Sequence, residues 1–230
     1  MRTDDIFATL ARRSAALAVP EEGDFMRDGL LHCGKCGKPK QCRVMLHGTA
    51  KTPQVVGCCC DCTNEAYLRG KEEREREEKR LRIEALRADG IRDKSLTACR
   101  FDASEMTDGL LKCKRYAEHW KEMQEQNSGL LLWGNTGTGK TYAAACIANY
   151  LIDCGTPAMV TSFPRILNAG WDKQEIIDQM HYYPLVVIDD LDVERNTEYA
   201  METVYMVIDE RYKAKKPLIV TTNLTLEELC

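Results

Sequence analysis

The segment 134–141, GNTGTGKT, follows the pattern G-x-x-x-x-G-K-[ST], which is typical of loops that bind nucleoside triphosphates. Its glycines allow backbone N–H groups to surround phosphate oxygens, and a helix starting after the loop would add its positive dipole end. We expect Lys140 to contact the β- and γ-phosphates and the Thr141 hydroxyl to coordinate Mg²⁺. The predicted nucleotide-binding residues are Gly134, Asn135, Thr136, Gly137, Thr138, Gly139, Lys140 and Thr141.

Two carboxylates, Asp189 and Asp190, follow the apolar run LVVI at 185–188. Ligands of parallel α/β sheets bind at the carboxyl ends of the strands, so we expect both acids beside the phosphates. Asp189 is the predicted Mg²⁺ ligand, directly or through water, and Asp190 the predicted base or orienting group for the attacking water. Asn223 ends another apolar run and is predicted to hydrogen-bond the γ-phosphate or that water. The predicted catalytic residues are therefore Lys140, Asp190 and Asn223.

Composition limits the environment and the partners of the protein. The sequence contains no apolar run of about 18 residues, and its N-terminus lacks the apolar segment of a secretory signal, so we expect a cytoplasmic protein without membrane contact. The formal net charge is −4, with 32 basic and 36 acidic residues. Contact with nucleic acid would therefore require a local basic patch.

A cluster of cysteines near the N-terminus indicates a second functional site. Seven of the twelve cysteines fall within 30 positions: Cys33, Cys36, Cys42, Cys58, Cys59, Cys60 and Cys62. In a reducing compartment such a cluster favours a structural Zn²⁺ site over disulfides. Cys33 and Cys36 form one C-x-x-C pair, and spacing alone favours Cys59 and Cys62 as the second. Nearby basic residues would suit a partner or single-stranded DNA: Lys35, Lys38, Lys40 and Arg43.

Three regions are predicted to position these residues: a zinc-binding module at 1–68, a charged helical linker at 69–90 and an α/β domain at 91–230. Apolar strands alternate with helices in the last region, which predicts a mostly parallel sheet with helices on both faces. The predicted strands are 128–134, 157–163, 184–190 and 217–223, and the predicted helices are 140–154 and 196–215.

The chain resembles the AAA+ ATPases of the DnaC/IstB kind, and within that group the DnaC-type helicase loaders of bacteria and phages. The residues that carry the resemblance are GLLLWGNTGTGKTYAAACIANYLI, LVVIDDLDVER and RYKAKKPLIVTTNLTLEEL. The resemblance implies a P-loop NTPase fold with an ASCE-type parallel sheet, and ATP as the nucleotide. It also favours Cys60-Asp-Cys62 as the second zinc pair. The predicted zinc ligands are Cys33, Cys36, Cys60 and Cys62, with Cys58 or Cys59 as substitutes.

The resemblance further implies an ATPase that loads a replicative helicase, binds single-stranded DNA under ATP control and self-associates through its core. The alternative is a nucleotide-gated adaptor, such as a transposition helper of the IstB kind. A metabolic P-loop kinase is disfavoured, because no residues indicate an acceptor pocket. The family continues beyond the position of Cys230 into a lid and an arginine finger. Because neither Arg195 nor Arg211 falls at the finger position, we expect weak turnover from this chain alone.

Overall fold

The computed structural model describes residues 19–45, 53–191 and 198–229. The chain divides into two compact units, Met1–Glu78 and Lys79–Cys230. The first residues of the helix predicted at 196–215 lie outside the described residues, as does Arg195.

Two small antiparallel hairpins form the described β-structure of the first unit. The first pairs β1 (Phe25–Arg27) with β2 (Leu30–His32), and the second pairs β3 (Gln41–Val44) with β4 (Gln54–Gly57). Asp28 and Gly29 join β1 to β2 with φ values of 53° and 72°, which is the conformation that a two-residue hairpin turn requires. Strands of three or four residues bury little apolar surface, so this unit needs another source of stability.

Helix α1 spans Asp61–Gly90, so it contains the predicted linker 69–90 and begins eight residues before it. Its surface carries ion pairs one turn apart: Glu65 with Arg69, Lys71 with Glu75, and Arg80 with Glu84. Such pairs stabilise an exposed helix by a few tenths of a kcal/mol each, about 0.2–0.5. Among the described residues, no helix has the length and apolar character needed to span a bilayer.

Four parallel strands form the sheet of the second unit, in the order β5-β8-β7-β6. Their bounds are Leu130–Trp133 for β5, Ala158–Ser162 for β6, Leu185–Asp189 for β7 and Leu218–Thr222 for β8. Each predicted strand is thus present, shortened by one or two residues at its ends. Strand β8 lies between β5, which leads into the glycine-rich loop, and β7, which ends in the acids. The fold prediction, a parallel sheet of the P-loop class, is confirmed.

Helices cover both faces of this sheet. They are α2 (Asp108–Glu118), α3 (Trp120–Glu125), α4 (Lys140–Asp153), α5 (Phe163–Asn168), α6 (Lys173–Gln179), α7 (Glu198–Ala214) and α8 (Leu226–Leu229). Strand β7 is buried on both sides: Leu185 and Val187 pack in the core that contains α4, and Val186 and Ile188 in the core that contains α7. A strand buried on both faces carries its acids directly from the core to the sheet edge. Helices α2, α3, α5, α6 and α8 were not predicted from the sequence.

Candidate functional site

The loop between β5 and α4 has a backbone that only glycine adopts readily. Gly137 and Gly139 both have φ of +83°, in the left-handed region. Gly139 is the N-cap of α4 and makes no side-chain cap hydrogen bond. Amide groups at an uncapped helix N-terminus are suited to binding phosphate oxygens. The Thr138 hydroxyl donates to the Asn135 carbonyl at 2.9 Å, which closes the loop on itself.

Lys140 is the first residue of α4, and its ammonium group turns back over the loop. Its Nζ donates to the carbonyl oxygens of Gly134 and Asn135 at 2.7 and 2.9 Å, and to Asn223 Oδ1 at 2.8 Å. Because Asn223 directly follows β8, this last contact joins the loop to the end of a different strand. The structure therefore brings together two residues that the sequence assigned to the same phosphate. Thr141 follows in the first turn of α4 and is half-buried.

The two acids after β7 differ in exposure. Asp189 is 8% exposed, and its Oδ1 accepts a hydrogen bond from Thr221 Oγ1 at 2.6 Å. The same Thr221 oxygen accepts the Asp190 N–H at 3.0 Å. Asp190 has φ of +53°, a left-handed conformation that aspartate tolerates better than most residues. The chain therefore turns directly after β7, with Asp189 buried and Asp190 exposed, which suits two different roles.

A second threonine fastens the ends of β7 and β8 to each other. The Thr222 hydroxyl donates to the Leu191 carbonyl at 2.7 Å and accepts the Leu224 N–H at 3.1 Å. The Leu191 N–H in turn donates to the Thr221 carbonyl at 2.8 Å. Both threonines are fully buried. Since buried hydroxyls need partners, these bonds hold the edge that carries Asp189, Asp190 and Asn223 in one arrangement.

Asn223 was predicted from the sequence to have a role, whereas Thr221 and Thr222 before it were not. The sequence does contain a signal for the two threonines. They are consecutive hydroxyl residues at the end of an apolar strand, at the sheet edge where the two acids were already expected. Threonine is, however, an ordinary β-strand residue, so its type alone did not separate a packing role from a positioning role.

A cleft of about 570 Å³ adjoins the glycine-rich loop. The loop side of the cleft includes Thr138 and Gly139, and the opposite side includes Thr107 and Leu110 of the α2 region. Leu132 and Trp133 of β5 also line it. A partly apolar cleft next to a phosphate-binding loop offers space for the base and sugar of a nucleotide.

Arg211, which the sequence left available for a role in hydrolysis, lies in the core instead. Its side chain is 2% exposed and donates to four backbone carbonyls: those of Met180, Tyr183, Pro184 and Pro217, at 2.7 to 3.0 Å. Burial lowers the pKa of Arg211 to about 10, so the guanidinium stays charged at neutral pH. The geometry assigns it to holding α7 against the chain before β7 and β8.

In the first unit, four cysteine sulfurs converge: those of Cys33, Cys36, Cys60 and Cys62, all within 4.8 Å of one another. Cys62 Sγ lies 3.4 Å from Cys33, 3.3 Å from Cys60 and 3.6 Å from Cys36. Four thiolates at about 2.3 Å from a tetrahedral Zn²⁺ would be about 3.8 Å apart, so the donor set fits this ion. The cluster joins the Cys33–Cys36 turn to the start of α1.

The protonation of these thiols also suits a divalent cation. The Thr63 hydroxyl contacts Cys60 Sγ at 3.1 Å and lowers the pKa of Cys60 to about 6. Hydrogen bonding with Cys60, and then with Cys33 and Cys36, raises the pKa of Cys62 to about 12. Four crowded thiols therefore do not all ionise by themselves. A bound Zn²⁺ would supply the positive charge that allows every sulfur to be a thiolate.

The structure leaves the substitute cysteines outside this cluster. Cys58 Sγ donates to the Pro39 carbonyl at 3.4 Å, and burial raises the pKa of its thiol. Cys59 is exposed. The Cys59–Cys62 pair that spacing alone favours is therefore not the pair that the structure brings to the Cys33–Cys36 turn, because Cys60 takes that place.

The predicted basic surface near the cluster is smaller than the sequence suggested. Lys40 is buried, and its Nζ donates to Asp24 at 2.6 Å and to Glu21 at 3.2 Å. Hydrogen bonds from the Glu21 N–H and from Lys40 lower the pKa of Asp24 to about 2. The Arg43 guanidinium donates to the Asp28 carbonyl at 2.7 Å. Lys40 therefore stabilises the unit and is not available to DNA, whereas Lys35 and Lys38 remain exposed.

Replacing Cys36 by serine is expected to remove bound zinc, because an alcohol is a much weaker ligand than a thiolate. Purified full chain should contain about one Zn²⁺ per molecule, and the Cys36→Ser variant close to none. Zinc content by atomic emission measures the effect. Cys59→Ser is the matched control, since Cys59 lies outside the cluster, and it should keep its zinc. Equal zinc in both variants would contradict the assignment.

Comparison with known proteins agrees with these features. The chain matches the family model described as "IstB-like ATP binding protein" over residues 66–229. It is 25% identical over 138 residues to the replicative helicase loader DnaC of Escherichia coli (strain K12), a match covering 56% of this chain and 55% of that protein. The chain thus spans about half the length of this curated relative.

Two solved structures share the fold of more than half of this chain. The crystal structure of DnaI aligns with a TM-score of 0.52 at 22% identity, covering 61% of this chain and 80% of that one. The crystal structure of the DnaC helicase loader aligns with a TM-score of 0.50 at 21% identity, covering 58% of this chain and 81% of that one. Since the family model covers most of the sequence and includes the glycine-rich loop, both acids and Asn223, the chain belongs to the family of IstB-like ATP binding proteins.

Proposed function

We propose that this protein is an ATP-controlled loader of a replicative helicase. The observation that carries the proposal is the contact between Lys140 Nζ and Asn223 Oδ1. This contact joins the glycine-rich loop to a polar side chain that follows another strand. Such a pair can distinguish a nucleotide that has a γ-phosphate from one that lacks it. The similarity to a protein named as a replicative helicase loader supports a replicative helicase as the partner.

Within this proposal the loop amides and Lys140 hold the phosphates of ATP, and Thr141 and Asp189 hold Mg²⁺. Bound Mg²⁺ supplies positive charge that neutralises the phosphate oxygens. Asp190 orients the attacking water or accepts its proton. Asn223 hydrogen-bonds the γ-phosphate or that water. Thr221 positions Asp189 and Asp190 through the two hydrogen bonds of its hydroxyl. The cleft beside the loop takes the base and sugar.

We further propose that three regions of the chain have different functions. Residues 1–68 act as a zinc-binding module that binds the helicase, residues 69–90 as a charged linker, and residues 91–230 as the ATPase core. The core contacts single-stranded DNA and self-associates. Exposed Lys35 and Lys38 give the module a small basic surface. We place these activities in the cytoplasm as part of the proposal.

The full chain is expected to retain a purified cognate helicase on an affinity support, and Cys36→Ser to reduce the retained helicase at least about tenfold. The physical reason is that a unit with so small an apolar core loses its shape without its metal. ATP binding, measured in parallel, should be unchanged in this variant. If the zinc-free variant retains the helicase fully, the role given to residues 1–68 is wrong.

The second candidate is a nucleotide-gated adaptor of the IstB kind, which recruits another enzyme to DNA. The family model that matches residues 66–229 favours this class as much as a loader. The two classes share an ATPase core, so the N-terminal unit must separate them. Retention of a transposase in place of the helicase in the same experiment would establish the second candidate.

A further inference from the structure

The first hairpin of the N-terminal unit presents a row of flat side chains on one face. Phe25 of β1 lies opposite His32 of β2, and their rings stack with centroids 5.6 Å apart and an angle of 22° between their planes. On its other side His32 lies opposite Pro39, in a single antiparallel bridge. Residues directly opposite one another in antiparallel pairs point to the same face, so these three side chains are neighbours. We call Phe25, His32 and Pro39 the outer row.

The outer row lies on the face away from the cysteine cluster. Strand side chains alternate, so Leu31 points to the opposite face, where it is 6% exposed, and Cys33 two residues later belongs to the cluster. Phe25, by contrast, is 42% exposed. His32 Nδ1 lies 3.1 Å from the Gly37 carbonyl oxygen, which only accepts, so this nitrogen is the donor and the contact fixes the ring. The aromatic side chains of the row are therefore both accessible and ordered.

Two arginines lie beside the outer row. Arg27 follows Phe25 by two residues in β1, which places it on the same face about 7 Å along the strand. The Arg43 guanidinium donates to the Asp28 carbonyl at 2.7 Å, in the turn that joins β1 to β2. Both arginines are exposed. Stacked rings next to guanidinium groups are suited to single-stranded nucleic acid, because bases stack on the rings and phosphates contact the charges.

The acids of this region are either paired or outside the outer row. Glu21 and Asp24 accept hydrogen bonds from Lys40 Nζ at 3.2 and 2.6 Å, and the Asp24 side chain is only 3% exposed. Glu22 and Asp28 are exposed, in the loop before β1 and in the hairpin turn.

The remaining charge of the hairpin region is mainly positive. Outside the Lys40 ion pairs, residues 19–45 carry the acids Glu22 and Asp28 and four basic residues: Arg27, Lys35, Lys38 and Arg43. Lys38 lies 4.0 Å from Asp61, but an exposed pair at this distance contributes little. This balance favours a polyanion over an acidic or apolar protein surface as the ligand of the outer row.

We propose that the outer row, with Arg27 and Arg43, is a binding site for single-stranded nucleic acid on the zinc-binding module. One base stacks on the accessible side of Phe25 and continues the stack with His32, and the phosphates on either side contact the two arginines. The site lies in a different unit from the ATPase core, so it is additional to the DNA contact proposed for the core. It also goes beyond the role of the module in binding a helicase. Since every base has a π-face, binding tolerates any sequence.

Fluorescence anisotropy of a labelled oligodeoxythymidine of about 12 nucleotides, titrated with the full chain without ATP, tests the stacking. Phe25→Ala is expected to weaken binding about fivefold or more, the low end of the usual loss for one stacked base. Phe25→Tyr should bind like the unchanged chain, because it keeps the ring. Met26→Ala is the matched control, since Met26 is 65% exposed in the same strand but points to the other face. Equal affinities of Phe25→Ala and Met26→Ala would overturn the proposal.

Cross-linking locates the site even when the ATPase core also binds the oligonucleotide. Irradiation of the same oligonucleotide carrying 5-iodouracil joins a base to an aromatic side chain that is stacked on it. Mass spectrometry of the digested full chain is expected to find the adduct on Phe25 or His32. Adducts found only within residues 79–229 would assign the binding to the core and reject the site on the module.

Salt dependence tests the two arginines. Arg27→Gln and Arg43→Gln should each reduce the slope of log affinity against log salt by about 0.7, which is the contribution of one phosphate contact on a single strand. Arg69→Gln is the control, because Arg69 is an exposed arginine of α1 outside the hairpin, and it should leave the slope unchanged. Slopes that stay the same in all three variants would contradict the contacts given to Arg27 and Arg43.

The Phe25→Ala variant also separates this site from the proposed function. Its zinc content, its affinity for ATP and its retention of the helicase should equal those of the unchanged chain. If Phe25→Ala loses the helicase but keeps the oligonucleotide, the outer row is a protein interface and the proposal is wrong. Oligouridine of the same length, titrated in parallel, tells whether DNA or RNA is the preferred strand.

Discussion

Replacing Lys140 by alanine is expected to lower the affinity for ATP at least about 100-fold, which corresponds to about 2.7 kcal/mol. The ammonium group of Lys140 lies over the loop, within 2.9 Å of two loop carbonyls and of Asn223. A phosphate chain bound in the loop meets this charge directly, and a charge-assisted contact with phosphate is among the strongest polar interactions in proteins. Isothermal titration of the full chain with ATP and Mg²⁺ measures the effect.

Lys121→Ala is the control for this experiment, because Lys121 is an exposed lysine of α3 outside the loop. Its affinity for ATP should equal that of the unchanged chain. Thermal unfolding without nucleotide shows whether Lys140→Ala remains folded. An unchanged affinity in a folded Lys140→Ala variant would reject the nucleotide site, including the roles given to Asp189, Asp190 and Asn223.

Replacing Arg211 by methionine is expected to lower the free energy of unfolding by about 3–5 kcal/mol. Methionine fills similar space but removes the Arg211 donors from four carbonyls, of which the Met180 oxygen keeps the Tyr183 N–H at 3.3 Å. Each buried carbonyl left unpaired costs about 1–3 kcal/mol before the surroundings relax. The Arg211 side chain itself is costly to bury, which offsets part of the loss. For a chain of this size the melting temperature should fall by about 10 °C or more. Chemical denaturation followed by circular dichroism measures the change.

Arg92→Met provides the comparison for Arg211→Met. Arg92 is exposed, so its replacement should change the free energy of unfolding by no more than about 0.5 kcal/mol. Arg211→Lys should lie between the two variants, because an ammonium group keeps the charge but offers fewer donors. If Arg211→Met is as stable as the unchanged chain, the four hydrogen bonds do not hold α7 in place.

The secondary structure could be predicted from the sequence where the local pattern of apolar residues corresponds to burial in the structure. Strand β7 is apolar at every position before Asp189 because both of its faces are buried, so its type and ends could be read directly. Helix α2 was missed although Leu110, Cys113 and Tyr116 lie on one face, since the two lysines and one arginine between them resemble a surface segment. The start of α1 at Asp61 was missed because the zinc cluster and the helix share their residues.

The residues of the candidate site also fall into those that the sequence predicts and those that it does not. The glycine-rich loop, the acids and Asn223 are detectable because their chemistry requires fixed residue types at fixed spacing. The positioning of Asp189 by Thr221 joins residues 32 positions apart, and no local pattern announces it. Cys60 and not Cys59 belongs to the cluster, since Cys60 is buried beside the other three sulfurs and Cys59 is exposed. From the sequence, Arg211 likewise cannot be distinguished from an ordinary helix residue, because its four carbonyl partners are known only from the structure.

One ammonium group is shared between the loop and the end of β8, since Lys140 donates to Asn223 as well as to loop carbonyls. A phosphate chain that attracts this group competes with the Asn223 amide for it. The competition is reciprocal: whatever weakens the hydrogen bond from Lys140 to Asn223 strengthens ATP binding by the same factor by which ATP weakens that hydrogen bond. Helix α8 begins at Leu226, three residues later, so a contact made there by another macromolecule would act as an effector of nucleotide affinity.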